Sequence, residues 1–360
     1  MIAPDSFKGT ATGGAAAAAI ARGWASVRPG DDVVLLPMAD GGEGTLDTFA
    51  AAVDGATWMP ARVLGPDNSP VDTEWLLLPD GTGVVELARA SGITLLDPLQ
   101  PFDAHTFGFG ELIAAALDAG VSSLVLAIGG SSSTDGGAGA LAALGVRLLD
   151  AEGREIPLGN RGLTALESVD WSAARSSPHR VIVLCDVRNP LLGPDGAAAV
   201  FGPQKGATVS DIPVLDANLA HFAGVLGGNH EYPGAGAAGG TSFGLVAWGA
   251  ELRSGAEEVS ERSGLDAAIA GADLVITGEG RFDSQSASGK VPHHIATLAE
   301  KLGVARALVA GHIEAPTGQF TDAVSLTELA GDSSTARAAA AHWLERAGAE
   351  LAARWGQNQS

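Results

Sequence analysis

Short runs of Val, Ile and Leu alternate along this chain with longer stretches that have a helical Ala and Leu pattern. The apolar runs lie at residues 32–38, 123–128, 180–187, 273–277 and 306–310. Helices are predicted over residues 13–27, 107–119, 137–144, 293–302 and 334–354. Nearly continuous apolar strands that alternate with helices are typical of a parallel sheet covered on both faces. The sequence therefore predicts an α/β fold with parallel sheets.

The middle of the chain departs from this alternation. Residues 57–87 alternate apolar and polar positions between Pro-Asp-Asn and Pro-Asp-Gly turns, which predicts an antiparallel meander. Residues 226–244 are rich in glycine and have no clear period, which predicts a long loop. A chain of 360 residues is expected to form two domains. We predict one domain formed by residues 1–60 plus 260–360 and a distinct middle domain at residues 61–259.

The charge and composition exclude several classes of protein. A formal net charge of −21 argues against nucleic acid and anionic membranes as partners. The single cysteine, Cys185, allows no internal disulfide, and no apolar run approaches the length of a membrane span. There is no signal-peptide pattern, so we expect a cytoplasmic protein. Lysine is scarce, and Lys8, Lys205 and Lys290 lie beside glycine in loop contexts that suit anion binding.

Polar loops follow the predicted strands, and each carries a carboxylate, glycine and a cation or hydroxyl. They cover residues 3–10, 39–45, 127–145, 185–193 and 277–290. In open α/β sheets, ligands bind beyond the carboxyl ends of the strands, where helix N-termini present free N–H groups to anions. A single loop of this kind also has an ordinary structural explanation. Thr134 or Asp135, for instance, would cap the following helix by accepting hydrogen bonds from its first N–H groups.

Several nucleotide-binding and catalytic motifs are absent from the sequence. There is no G-x-x-x-x-G-K-[ST] phosphate loop, no strand-bound G-x-G-x-x-G with a following acid, and no G-x-S-x-G nucleophile elbow. A P-loop enzyme and a dinucleotide-dependent dehydrogenase are therefore disfavoured. Carboxylates, glycine-rich anion loops and isolated Lys and Arg remain, and this is the set of groups that phosphoryl transfer uses.

Taken together, the loops resemble those of the bacterial glycerate kinase family. The matching segments span residue 2 to about residue 315 and read IAPDSFKG, PMADGGEGT, IGGSSSTDGGAG, CDVRNPLLG with FGPQKGA, and ITGEGRFDSQSASGK. The resemblance implies two α/β domains, one flavodoxin-like and built from both chain ends, the other a distinct middle domain. It also implies ATP-dependent phosphorylation of (R)-glycerate, typically to 2-phosphoglycerate, with a requirement for Mg²⁺. Ser133-Thr134-Asp135 departs from the Thr-Asn-Asp of many members, which leaves fine substrate preference open.

Chemistry applied to the matching loops gives their polar residues hypothetical roles. Four cations are candidates for contacts with phosphate and with the glycerate carboxylate: Lys8, Arg188, Arg281 and Lys290. A carboxylate favours an Arg that can bind it through two hydrogen bonds. Further substrate and phosphate contacts are assigned to Asp5, Ser6, Asn189, Gln285 and the turn of Gly129, Gly130 and Ser131, which would cradle nucleotide phosphates. The candidate catalytic carboxylates are Asp40, Glu43, Asp186, Glu279 and Asp283. Mg²⁺ takes one or two carboxylates, for which the candidates are Asp135 and Asp186.

Two other functions fit the same loops. One is a kinase for another small hydroxy acid, which substrate screening with coupled ADP release would separate from a glycerate kinase. The other is a non-catalytic nucleotide-sensing domain, which would bind ATP without turnover. Glycerate and ATP are the expected small-molecule partners, and no nucleic acid or membrane partner is expected. The sequence leaves a homo-oligomer open.

Overall fold

The structure, a computed structural model, describes residues 1–7, 9–284 and 290–357, so the predicted site residues Lys8 and Gln285 lie outside the described residues. Helices and mainly parallel sheets make up this part of the chain, which confirms the predicted α/β class. No helix within it combines the length and the apolar character that a membrane crossing needs.

Contacts divide the chain into two compact units. Unit 1 comprises Met1–Asp40, Asp47–Asp54 and Gly255–Ser360. Unit 2 comprises Gly41–Leu46 and Gly55–Ser254. Unit 1 therefore takes residues from both chain ends, and the short segment Gly41–Leu46 groups with the middle of the chain.

Twelve strands occur in the described residues, and β1 and β10 to β12 belong to unit 1. In chain order they are β1 (Ile2–Pro4), β2 (Thr57–Leu64), β3 (Pro70–Leu77), β4 (Thr82–Glu86), β5 (Ser123–Ala127), β6 (Arg147–Leu149), β7 (Ser168–Asp170), β8 (Arg180–Leu184), β9 (Glu251–Arg253), β10 (Leu274–Phe282), β11 (Ala305–Ile313) and β12 (Asp322–Ser325).

Fourteen α-helices accompany these strands in the same described ranges. They are α1 (Gly13–Val27), α2 (Thr45–Ala52), α3 (Ala88–Ser91), α4 (Phe107–Asp118), α5 (Ala138–Ala143), α6 (Ala197–Phe201), α7 (Ile212–Leu226), α8 (Ala237–Trp248), α9 (Gly255–Ser263), α10 (Leu265–Ala270), α11 (Val291–Leu302), α12 (Leu326–Ala330), α13 (Ser333–Ala338) and α14 (Ala340–Gln357). Short 3₁₀ helices cover Ile93–Leu95, Asn160–Ala165 and Pro203–Lys205.

The sheet of unit 1 has the order β1-β10-β11-β12, and every pair is parallel. The strand predicted at residues 32–38 is wrong as a full strand, because it pairs with β1 through one bridge, between Ile2 and Leu35. The Ile2 amide donates to Val34 O at 2.8 Å. Pro4 interrupts this ladder, since its ring nitrogen has no hydrogen to donate, although the Met38 amide still donates to Pro4 O at 2.9 Å.

Helices α1 and α14 of unit 1 pack closely where a glycine of each helix contacts the backbone of the other. A Cβ at Gly23 would lie 1.8 Å from Glu345 O, and a Cβ at Gly348 would lie 2.1 Å from Ile20 O. A larger residue at either position would force the helices apart. The core beside this contact includes Ile2, Phe7, Ile20, Trp24, Ile276, Val309, Leu344 and Leu351.

The main sheet of unit 2 has the order β2-β3-β4-β5-β8-β9. Strands β2, β3 and β4 pair antiparallel, which confirms the predicted meander, whereas β4, β5, β8 and β9 pair in parallel. Glu86, Ala127 and Leu184 lie in register at the carboxyl ends of β4, β5 and β8. The loops that follow these three strands therefore leave the sheet side by side.

Two further regions differ from the predicted secondary structure. Residues 226–244 are not one loop, because they include the beginning of α8. Within α8, Ala238, Gly239 and Gly240 have φ angles of 53°, 69° and 86°. These positive angles interrupt the helix, so its sequence has no regular helical period. The helix predicted at residues 334–354 is divided into α13 and α14 at Ala339, where φ is −133°.

The carboxylate of Asp135 joins the loop after β5 to two helices of unit 2. Asp135 is fully buried, and its Oδ2 accepts from the Thr106 amide at 2.9 Å, the Thr106 hydroxyl at 2.8 Å and the Gly139 amide at 3.2 Å. Its Oδ1 accepts from the Gly137 amide at 3.1 Å. Thr106 precedes α4, and Gly137 precedes α5. Asp135 therefore has the capping role that the sequence left open.

Replacing Asp135 by Ala is expected to destabilise the protein strongly. The change leaves the amides of Thr106, Gly137 and Gly139 without their acceptor, and each unmet buried donor costs about 1–3 kcal/mol. We expect the free energy of unfolding, measured by urea denaturation, to fall by about 3 kcal/mol or more. Glu167→Ala, an exposed position in unit 2, is the control and should change it by less than about 0.5 kcal/mol. An Asp135→Ala protein as stable as the wild type would contradict the capping role.

Candidate functional site

A cavity of about 320 Å³ opens in unit 1 beside the carboxyl ends of β1, β10 and β11. Its lining brings together candidate site residues that were predicted from three separate loops of the sequence. They are Asp5, Ser6, Asp40, Glu279, Arg281, Asp283 and Lys290. Ligands of open parallel sheets bind at this edge, so the cavity lies where a ligand site of unit 1 is expected.

Two carboxylates of this cavity, one directly after β1 and one in the neighbouring β10, are almost inaccessible to solvent. Asp5 and Glu279 are each 5% exposed. The Asp5 amide donates to Gly278 O at 2.8 Å, which places Asp5 beside β10, and Asp5 Oδ1 accepts from the Ser6 amide at 2.6 Å. Carboxylates that line a polar cavity accept hydrogen bonds from ligand hydroxyls and supply the oxygen ligands that Mg²⁺ prefers.

Arginine, lysine and histidine side chains line the same cavity. Arg281 is bound by Glu314, whose Oε2 accepts from Nε at 3.1 Å and from Nη2 at 2.6 Å. This hydrogen-bonded ion pair raises the pKa of Arg281 above its usual value. Lys290, the N-cap of α11, and Arg337, on α13, have no ion-pair partner within the described residues. Lys290 and Arg337 are therefore available to an anionic ligand.

Arg337 and His312 line the cavity but are not among the residues selected from the sequence. His312 lies beyond the predicted end of its strand, and Arg337 lies in a stretch predicted as one uninterrupted helix. The signal that would have identified Arg337 is Asp332, whose Oδ1 accepts from the amides of Ser334 and Thr335 at 2.8 Å. Gly331, Asp332 and Ser333 combine a glycine, a carboxylate and a hydroxyl before a helix, as the other loops do, but they follow α12 and not a strand.

In unit 2, the turn from Gly129 to Ser131 presents amides to a ligand. The Gly129 amide donates to Gly41 O at 3.0 Å, and the Ile93 amide donates to Gly130 O at 2.8 Å, so both sides of the turn are fixed. The amides of Gly130 and Ser131 bond no acceptor among the described residues. Successive free amides are suited to bind an anion such as a phosphate.

Lys205 is bonded to this same loop. Its Nζ donates to Ser131 Oγ at 2.8 Å and to Ser133 O at 2.5 Å. Burial lowers the pKa of Lys205 to about 7, and the charge of Asp135 partly offsets this effect. The hydroxyls of Ser133 and Thr134 are buried and bond no partner in the part of the chain that the structure describes. Lys205, interpreted from the sequence as an anion-binding residue, therefore bonds protein groups in this structure.

The other candidate residues of unit 2 lie along its loops. Asp186 follows β8 and is half-buried, whereas Glu43 and Arg188 are exposed. Asn189 Nδ2 donates to Asp195 O at 2.8 Å, so its amide stabilises its own loop. The residues selected from the sequence are thus divided between unit 1 and unit 2.

The two residues predicted to bind Mg²⁺ have different surroundings. A metal ion at Asp135 would have to displace the four donors that its carboxylate already binds, so Asp135 is poorly suited to bind Mg²⁺. Among the described residues, no group of three or more His, Cys, Asp or Glu is arranged to hold a metal. Mg²⁺ that binds with a nucleotide needs only one or two carboxylates and keeps several waters. Asp186, half-buried beyond a strand end, fits that requirement.

The chain matches one known protein family along nearly its whole length. The profile of the glycerate kinase family matches residues 1–356. The chain is similar to the glycerate kinase of Bacillus subtilis (strain 168), with 47% identity over 324 residues that cover 87% of this chain and 85% of the relative. It is also similar to the glycerate 2-kinase of Escherichia coli (strain K12), with 44% identity over 312 residues, or 84% and 82% of the two chains.

A solved structure extends this similarity to the fold. The crystal structure from Salmonella typhimurium LT2, reported under the provisional name glycerate kinase 2, has a TM-score of 0.84 and 38% identity to this chain. The match covers 99% of this chain and 98% of that chain, so it includes both units. The chain therefore belongs to the glycerate kinase family.

Proposed function

We propose that this chain is a glycerate 2-kinase, which transfers the γ-phosphoryl group of ATP to the 2-hydroxyl of (R)-glycerate and releases 2-phosphoglycerate and ADP. Membership of the glycerate kinase family supports the reaction class, and the name of the Escherichia coli relative supports the 2-position. The observation that carries the proposal is the cavity of unit 1, because its carboxylates and cations complement the groups of glycerate.

The charges of the cavity favour glycerate over a nucleotide triphosphate as its ligand. Glycerate carries a single carboxylate and two hydroxyls. The described lining has the carboxylates of four residues, and Arg281, one of its cations, is already paired with Glu314. These carboxylates repel a triphosphate but accept hydrogen bonds from hydroxyls. A volume of about 320 Å³ also lies at the small end of the range for ligand pockets.

We assign the glycerate carboxylate to Lys290 and Arg337, because both cations line the cavity without an ion-pair partner among the described residues. The guanidinium can bind a carboxylate through two parallel hydrogen bonds. The general base, which accepts the 2-hydroxyl proton as the phosphoryl group is transferred, is assigned to one of Asp40, Glu279 and Asp283. A base of this kind typically raises the rate by about 10²–10⁴-fold.

We assign the phosphates of ATP to the turn from Gly129 to Ser131 in unit 2. Its free amides are suited to phosphate oxygens, and the turn follows β5, the parallel neighbour of β8. Asp186, in the loop after β8, would hold Mg²⁺ together with phosphate oxygens. When bound, Mg²⁺ neutralises negative charge on the phosphates and stabilises the charge that develops during transfer.

A coupled assay of ADP release with (R)-glycerate, ATP and Mg²⁺ tests the proposed reaction. We expect turnover with (R)-glycerate and a product whose NMR spectrum is that of 2-phosphoglycerate. The controls are (S)-glycerate, which reverses the stereocentre, and lactate, which lacks the 3-hydroxyl. Formation of 3-phosphoglycerate would contradict the 2-position, and faster turnover of either control would contradict the substrate. Binding of ATP without turnover of any hydroxy acid would contradict an enzymatic function.

Arg337→Ala and Lys290→Ala are expected to weaken the binding of glycerate. The loss of one charge-assisted hydrogen bond costs about 1.5–3 kcal/mol, which corresponds to a rise of roughly 10- to 100-fold in KM for glycerate. KM for ATP should change by no more than about twofold, because ATP is assigned to other residues.

Lys301→Ala is the matched control for these two variants, because Lys301 is an exposed lysine in the last turn of α11. It should leave both KM values unchanged. If Arg337→Ala and Lys290→Ala raise KM for ATP and leave KM for glycerate unchanged, the assignment of the cavity to glycerate is wrong.

A further inference from the structure

A buried lysine is bonded to the turn that we assign to the phosphates of ATP. Lys205 is 1% exposed, and its hydrogen bonds go to Ser131 Oγ and to Ser133 O. Both acceptors belong to one loop, on either side of Ser132. Burial of an amine is unfavourable unless its N–H groups find acceptors, so the lysine and the loop fix each other's positions.

This contact does not require a charged lysine. A neutral amine has two N–H groups, and the loop offers it two acceptors. Asp135 acts on Lys205 through its charge, but its oxygens accept from the residues that begin α4 and α5. Among the described residues, the hydrogen bonds of Lys205 are thus made to the loop and not to a carboxylate.

The backbone of α8 is shaped around this contact. A Cβ at Gly239 would lie 2.9 Å from Lys205 Nζ and 2.0 Å from Ser133 O. Gly239 has a φ of 69°, and Ala238 before it has a φ of 53°, a left-handed conformation that is unfavourable for a residue with a side chain. The helical repeat is therefore broken where the lysine and the Ser133 carbonyl need room.

The lysine also determines whether the Ser131 hydroxyl acts as a hydrogen-bond donor or acceptor toward a ligand. Ser131 Oγ accepts the hydrogen bond from Nζ, so the hydroxyl hydrogen stays available for donation. An oxygen that already accepts a hydrogen bond becomes a stronger donor, because bonds in a chain polarise one another. The amides of Gly130 and Ser131 are also without acceptors among the described residues. Three donors of one turn therefore remain available for an anion.

We propose that Lys205 is a positioning residue for nucleotide binding, which holds Ser131 and Ser133 so that the Ser131 hydroxyl and the adjacent amides meet a phosphate of ATP. This inference rests on the proposed function, in which the Gly129–Ser131 turn binds the nucleotide. Lys205 acts through the loop and makes no contact with ATP itself. Its loss is expected to weaken nucleotide binding and to leave glycerate binding unchanged.

Lys205→Met tests this role, because methionine has a similar length and shape but no N–H groups. We expect the affinity for ADP, measured by isothermal titration calorimetry, to fall about tenfold and KM for ATP to rise by a similar factor. KM for glycerate should change by no more than about twofold. Lys301→Met, at the exposed lysine of α11, should change none of these values. A purely structural role would instead lower the melting temperature and change both KM values alike, and that result overturns the proposal.

Ser131→Ala tests the same positioning role by removing the hydroxyl that Lys205 holds, while the lysine itself remains. It is expected to raise KM for ATP about tenfold by itself. The double variant with Lys205→Met should bind ADP no more weakly than Lys205→Met alone, because the two residues act through one contact. If Lys205→Met does not fold, the proposal is tested by Ser131→Ala alone. An unchanged KM for ATP in Ser131→Ala then overturns the proposal.

The outcomes also separate this proposal from the proposed function. Calorimetry with ADP needs no turnover, so it tests Lys205 independently of glycerate phosphorylation. A wild-type protein that binds ADP but does not phosphorylate glycerate overturns the proposed function alone. An unchanged ADP affinity in Lys205→Met overturns the positioning role alone. A wild-type protein that binds no ADP overturns both.

Discussion

Parallel strand pairing in register is the interaction on which both candidate ligand sites depend. In unit 2, Glu86, Ala127 and Leu184 lie side by side, so the loops after β4, β5 and β8 begin at one edge of the sheet. In unit 1, Pro4 pairs with Gly278, and the residue that follows each of them is a buried carboxylate that lines the cavity. The backbone ladder thus brings together side chains that are far apart in the sequence.

The loop after β5 shows how structural and ligand-binding requirements share the same residues. Asp135 and Lys205 are both buried, and each needs hydrogen-bond partners because an unpartnered charged or polar group in the interior is unfavourable. Asp135 accepts hydrogen bonds from amides at the start of two helices, and Lys205 donates hydrogen bonds to a hydroxyl and a carbonyl of the loop. The amides of Gly130 and Ser131 remain for a phosphate. The glycines and hydroxyls of this loop therefore serve the fold and the proposed nucleotide site together.

Much of this arrangement could be predicted from the sequence because its signals are local. Helix α1 has the predicted bounds of residues 13–27, and the meander of β2 to β4 follows from its turn residues. Arg337 was missed because its helix was predicted as part of one longer Ala-rich helix, so the Asp332 cap before it was not recognised as a separate helix start. The capping role of Asp135 could not be separated from metal binding, since both use the same carboxylate and Thr106 lies 29 positions away. Local patterns predict elements and loops, whereas the partner of a buried charge depends on packing.

We propose that glycerate binds in the cavity of unit 1 and that the phosphates of ATP bind at the Gly129–Ser131 turn of unit 2. A crystal structure of the protein with (R)-glycerate, Mg²⁺ and a non-hydrolysable ATP analogue tests it most directly. We expect the glycerate carboxylate within hydrogen-bond distance of Lys290 or Arg337, and a phosphate of the analogue on the amides of Gly130 and Ser131. A triphosphate bound among the carboxylates of the unit 1 cavity would contradict the claim.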